Sequence, residues 1–128
     1  MQLNLLDTHT FLWFIGGNRE LSKTARAHIE ADNTNNFVSI ASLWEMSIKI
    51  SLGKLHLNAP FSEIGQHIIR NGFEILPITV EDTLILSTLP FHHRDPFDRI
   101  IVAQALNNSL TVITKDDNLA SYGAKVVW

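Results

Sequence analysis

Acidic side chains at four points of the chain are the residues best placed to do chemistry. Asp7 directly follows the apolar run QLNLL, Glu45 lies within ASLWEMSIKI, Asp98 within DPFDRIIVAQA, and Asp116 directly follows LTVIT. Apolar runs that end in a polar residue read as buried parallel strands, and in an open α/β sheet ligand sites form at the carboxyl ends of such strands. Asp7 and Asp116 both stand at such ends. Ionised carboxylates beside a dry interior are costly, and two at neighbouring strand ends repel each other unless a positive group lies between them. Oxygen ligands in this number suit a hard cation, Mg²⁺ or Mn²⁺.

Each of the four also has a plainer reading. Asp98 falls at the third position of a helix opened by Pro96, where free amides and the helix dipole favour a carboxylate in any case. Asp95 already fills the cap, however, which leaves Asp98 free to face a cleft. Glu45 precedes Lys49 by four residues, the spacing of a solvated helix ion pair, yet Leu43, Trp44, Met46 and Ile48 crowd it with apolar neighbours. Asp7 is either a simple cap for the next helix or a group pointing from the core into the mouth of the sheet. One of Asp116 and Asp117 caps the last short helix. The register of LTVIT places Asp116 nearer the mouth, with Thr114 beside it as a hydroxyl able to hold water, so the cap falls to Asp117.

The elements that must position these groups follow from capping residues and apolar spacing. After the first strand, THTFLWFI turns into a short helix ended by Gly16-Gly17, and ELSKTARAHIEAD is an amphipathic helix with Ser22 as its N-cap. DNTNN reads as a loop, NFVSI as a second strand, and ASLWEMSIKISL as a helix closed by Gly53. Pro60 opens a helix through PFSEIGQHIIRN, and FEILPI is a third strand. Thr79 caps VEDTLILSTL, which Pro90 ends. The loop FHHRD leads into PFDRIIVAQALNN, with Asp95 at the N-cap and Pro96 at the first helical position. LTVIT is a strand, DDNLASYG a short helical turn and AKVVW a last strand. Strands alternating with helices imply an α/β fold, a three-layer sandwich with a central parallel sheet and helices on both faces.

The 128 residues, 45% of them hydrophobic, supply one core, and a single domain over 1–128 is expected. The absence of cysteine excludes disulfides, thiolate zinc sites and cysteine nucleophiles. The start, MQLNLLDTHTFLWFIGG, has no basic segment, and Asp7 and His9 interrupt its apolar stretch, so neither a secretory signal nor a membrane span is expected and the cytoplasm is the expected location. A net charge of −3 argues against a protein that coats nucleic acid by bulk positive charge. It leaves a nucleic-acid enzyme open, because with the four carboxylates neutralised by a cation the remainder is close to neutral.

Taken in order, LLDTH near the start, SLWE in the first third, DPFDRIIVAQA late, then ITKDD and a closing VVW resemble the PIN domain, and within it the VapC-like toxin branch. The similarity runs from Leu5 to Trp128. It implies a compact PIN-like α/β domain and a metal-dependent endoribonuclease that leaves a 5′-phosphate and a 3′-hydroxyl. It also implies that Asp7, Glu45, Asp98 and Asp116 hold Mg²⁺, with Mn²⁺ as a possible substitute, and that Thr114 lies near the attacking water. VapC-like proteins are usually homodimers held by an antitoxin, so a cognate antitoxin and a second copy are the implied partners beside RNA.

The same chemistry follows from the substrate. A phosphodiester repels hydroxide, so hydrolysis needs a cation that neutralises the phosphate and acidifies a water. Arg94, Arg99 and Lys115 neighbour the acidic positions in sequence and are candidates to meet RNA phosphate, with surface ion pairs as the alternative. His92 and His93 either contact RNA or belong to a solvated loop. A histidine ligand is disfavoured because the other ligands are carboxylates and adjacent loop histidines point different ways. The aromatic residues Phe11, Trp13, Phe14, Trp44 and Trp128 read as core, and any that are exposed would mark a partner surface. Two other functions compete: a non-catalytic PIN-like module that binds RNA or protein, and a phosphoacceptor domain. The second needs an acidic pair near the first strand, where LLDTH offers one aspartate.

Overall fold

The computed structural model describes residues 1–128 and is built on a five-stranded, wholly parallel sheet. Its strands are β1 (Gln2–Leu6), β2 (Thr34–Ser39), β3 (Glu74–Leu76), β4 (Thr111–Ile113) and β5 (Val126–Val127), in the order β3-β2-β1-β4-β5. The helices are α1 (Thr8–Gly16), α2 (Lys23–Glu30), α3 (Ile40–Ser51), α4 (Ile64–Arg70), α5 (Val80–Thr88) and α6 (Pro96–Asn108). None is long and apolar enough to cross a membrane.

Strand alternation divides the core. Leu6, Val38 and Ile113 face one side and pack with Phe11, Ala25, Met46 and Ile68 from the first four helices. Leu5 and Val112 face the other, against Ile101, Val102 and Ala105 of α6. A third cluster, Ala41, Ile100 and Ala103 with Ile85 and Leu86 beside them, joins α3, α6 and α5. Helices therefore cover both faces, as a parallel sheet requires.

Boundaries fall where the capping side chains stand. Ser22, Ser39 and Asp95 each accept a hydrogen bond from a first-turn amide of the helix they open. Thr79 and Asp82 form a reciprocal capping box at α5, and the buried Asp82 also accepts from Asn107 of α6, clipping the two helices together. Gly17 ends α1 at φ +63°, a left-handed conformation that glycine adopts without a Cβ penalty, and its amide bonds back to Phe14 and Trp13.

Three details depart from expectation. The asparagine-rich DNTNN is not all loop: β2 starts at Thr34, because Asn36 lies opposite Asn4 of β1 and its side-chain oxygen accepts a buried hydrogen bond from the Asn4 amide at 2.9 Å. Asn4 also donates to His28 O and Asn36 to Ile29 O, so neither amide is orphaned. The segment opened by Pro60 begins as a single 3₁₀ turn, Phe61–Glu63, before α4. The cap of the last short helix, a 3₁₀ segment over Asp117–Tyr122, is Asp116 rather than Asp117.

Candidate active site

Asp7, Glu45, Asp98 and Asp116 converge at the carboxyl end of the central strands. Asp7 ends β1 and Asp116 follows β4, which are neighbours. Glu45 stands on α3, which begins directly after β2, and Asp98 lies in the first turn of α6. Asp7 and Glu45 are buried; Asp98 and Asp116 are partly open to solvent.

Three of the four carboxylates are oriented at both oxygens. Asp7 Oδ1 accepts the amide of Thr10 at 2.9 Å, and its Oδ2 accepts the hydroxyl of Thr114. Asp7 thus caps α1 with one oxygen and holds Thr114 with the other. Glu45 Oε1 accepts Thr8 Oγ1 at 2.7 Å, and its Oε2 pairs with Lys49 Nζ at 2.8 Å. The i,i+4 ion pair exists, but one partner is buried. Asp116 Oδ1 accepts the amide of Asn118, and its Oδ2 lies 2.9 Å from His93 Nε2.

Asp98 is the exception. Asp95 takes the amide of Asp98 at the cap, no hydrogen bond ends on the Asp98 carboxylate, and the nearest donor is His93 Nε2 at 3.4 Å. Burial, then the negative charges of Asp95 and Asp7, push its pKa from 3.8 up to about 7, and Glu45 adds to this. The Asp98 carboxylate is therefore half-buried beside other carboxylates with no hydrogen-bond donor of its own.

Thr114 is fully buried and doubly engaged, donating to Asp7 and accepting the amide of Asp116 at 3.0 Å. Its hydroxyl is spent on aligning two of the carboxylates. Arg99 is turned to a structural task. It is buried, with its guanidinium on Pro90 O at 2.8 Å, Leu89 O at 3.3 Å and Tyr122 Oη at 3.2 Å, and it stacks on Phe91. Expecting it at the substrate is corrected accordingly, since the carbonyls ending α5 already take its donors. Lys115 is exposed and paired with Glu20 at 2.9 Å, and Arg94 is exposed on the loop before α6.

Thr8, Ser42, His93 and Tyr122 were not singled out by sequence as supports of the site. Ser42 lies 2.9 Å from Thr8 Oγ1 and precedes Glu45 by three residues, a same-face spacing that is readable from the sequence. Tyr122 Oη accepts the amide of His93 at 2.7 Å, a contact between distant segments that no local pattern announces. His92 points elsewhere and packs on the Tyr122 ring.

An all-parallel sheet with four carboxylates at its carboxyl end, two following strands and two on helices, defines an acidic-site α/β domain. The PIN domain profile matches residues 5–125, and the chain belongs to the PIN-domain family. No curated protein matches it in sequence. Among solved structures it is similar to VapBC2 from Rickettsia felis, solved bound to a DNA fragment from its promoter, at 14% identity and TM-score 0.71 over 98% of each chain. VapBC-1 from nontypeable Haemophilus influenzae follows at 16% identity and TM-score 0.68, covering 98% of this chain and 97% of that one. A toxin–antitoxin complex from Klebsiella pneumoniae shares 20% identity at TM-score 0.66, over 98% and 96%. At such identities the likeness concerns the fold, and the fold is the one expected.

Proposed function

We propose that this protein is a Mg²⁺-dependent endoribonuclease, with Mn²⁺ as an alternative ion, and the toxin of a type II toxin–antitoxin pair. The observation that carries the reading is the unequal state of the four carboxylates. Asp7, Glu45 and Asp116 are each fixed by donors on both oxygens, while Asp98 has none and is held near half-protonation at neutral pH. An all-oxygen set with surplus negative charge fits Mg²⁺ and offers no thiolate to a softer metal. The four carboxylates would hold the ion. Bound there, it supplies positive charge against the scissile phosphate and acidifies a water for in-line attack.

The chain's own residues do the rest. Thr114 keeps Asp7 and the Asp116 backbone in register, and Thr8 keeps Glu45 turned inward. Asp98 must give up its proton before it can contribute a full charge. Lys115 pairs with an exposed glutamate and lies over the Trp13 ring, contacts of small net value that RNA phosphate could replace, and Arg94 is exposed on the loop before α6. For partners, the similarity to VapBC complexes supports a cognate antitoxin. A second copy is supported by apolar residues left exposed at i,i+4 spacing on two helices, Ile40 and Trp44 on α3 and Val80 and Leu84 on α5.

The test compares cleavage of single-stranded RNA by antitoxin-free wild type and Asp98→Asn, each with Mg²⁺ and with EDTA. Cutting is expected from the Mg²⁺-loaded wild type and from no other sample. Equal cutting by the variant would remove Asp98 from the site. Wild type that takes up Mg²⁺ yet leaves a broad RNA pool intact would favour a non-catalytic RNA- or protein-binding module.

A further inference from the structure

His93 faces two carboxylates of the cluster and could serve either as a ligand or as a donor to them. It lies on the loop between α5 and α6, with Nε2 2.9 Å from Asp116 Oδ2 and 3.4 Å from Asp98 Oδ2. The ligand atoms of these three residues fall within 4.8 Å of one another, a spacing at which an imidazole and two carboxylates could share an ion. The other ring nitrogen decides otherwise. The amide of Asp95 donates to Nδ1 at 3.1 Å. A backbone amide only donates, so Nδ1 must offer its lone pair and the ring proton resides on Nε2. A nitrogen that carries a proton does not ligate a metal; it donates to the carboxylate it faces. Reversing the tautomer would set Nδ1–H against the Asp95 amide at the cap of α6, two donors with no acceptor between them.

We infer that His93 is a positioning residue: its Nε2–H, fixed by the Asp95 amide, holds Asp116 in place while the ring itself stays outside the ligand set. This rests on reading the four carboxylates as a cation site. The backbone of the same residue strengthens the case. His93 N–H donates to Tyr122 Oη at 2.7 Å, and Tyr122 ends the 3₁₀ segment that Asp116 caps. One residue therefore clasps that segment at both ends, by its ring at Asp116 and by its amide at Tyr122. The segment runs from β4 to the two-residue edge strand β5 with Leu119 buried at its centre, and His93 fixes the two ends that the leucine leaves open. His93 joins Asp116 to the first turn of α6, which carries Asp98.

Mn²⁺ uptake by the full-length protein, followed through the loss of the free-ion EPR signal, tests this in wild type, His93→Ala and His93→Gln. Removing a group that orients a ligand typically weakens metal affinity by about 10- to 100-fold. That loss is expected for His93→Ala, and His93→Gln, whose amide N–H can reach the same acceptor, should recover most of it. Two readouts separate orientation from ligation. Ring ¹⁵N shifts should show the Nε2–H tautomer with and without Mg²⁺, and pulsed EPR of bound Mn²⁺ should show no directly coordinated nitrogen. A coordinated ¹⁴N, a shift of the proton to Nδ1 on loading, unchanged affinity in His93→Ala or no recovery in His93→Gln would each overturn the inference. Should His93→Ala fail to fold, the wild-type tautomer and His93→Gln decide. Wild type that binds no Mn²⁺ overturns the cation reading itself, whereas normal binding by wild type and His93→Ala alike overturns the role of His93 alone.

Discussion

Asp98 differs from its companions in having nothing to hold its charge, and this makes it the residue through which pH should act. Its pKa in the folded, cation-free protein is about 7 against an ordinary 3.8, so the folded state binds this proton more tightly than the unfolded chain does. Stability contributed by the bound proton is present below the lower value and is lost as pH rises through the upper one. Melting curves in EDTA should therefore show wild type losing stability between about pH 4 and pH 7. Asp98→Asn, neutral throughout, should melt near wild type at pH 4 and above it at pH 8. Parallel pH profiles for the two proteins would show that Asp98 does not carry the effect. At this scale the sequence was informative where a residue's neighbours fixed its freedom. Asp95 at the cap did free Asp98, as expected. It was uninformative for Arg99, because adjacent residues on a helix point about 100° apart and proximity in sequence to Asp98 says nothing of a shared direction.

Helix ends were the most legible elements because their chemistry is local. Ser22, Thr79 and Asp95 with Pro96 mark boundaries that coincide with those observed. Errors arose where distant contacts outweighed local preference. Asn36 joined a strand because Asn4 of β1 supplied a partner, and Asp116 took the cap because His93 and Thr114 already held it in place. The cap of α6 also separates two roles of one side chain. Asp95→Ala loses acceptors for the amides of Phe97 and Asp98 and should cost about 1 kcal/mol, read as a lower urea midpoint at pH 5 with unchanged slope. Asp95→Asn keeps a capping oxygen and should stay close to wild type. An equal loss in both variants would mean that the charge, and not the cap, stabilises the helix.

For the whole molecule, alternation of strands and helices made the layered parallel architecture readable, whereas the strand order was not, since it depends on which crossovers pack together. Nor was the destination of the aromatic residues uniform: Phe11 is fully buried, while Trp44 is 60% exposed and rests edge-on against Phe97. If the exposed residues of α3 and α5 bind a second copy, the paired change Trp44→Glu with Leu84→Glu should turn a dimer into a monomer in sedimentation velocity, with the fold intact by circular dichroism. An unchanged sedimentation coefficient would place the contact elsewhere. The buried amides of Asn4 and Asn36 bear on the molecule in another way. They lie below the carboxyl end of the sheet and pair at one alignment of β1 with β2. A slip of one residue would send polar side chains into the apolar layer, and a slip of two would carry Asp7 roughly 6.6 Å along its neighbour, out of reach of Thr8's link to Glu45. The pair works as a vernier: a setting made halfway along two strands determines whether four carboxylates from distant parts of the chain meet at their ends.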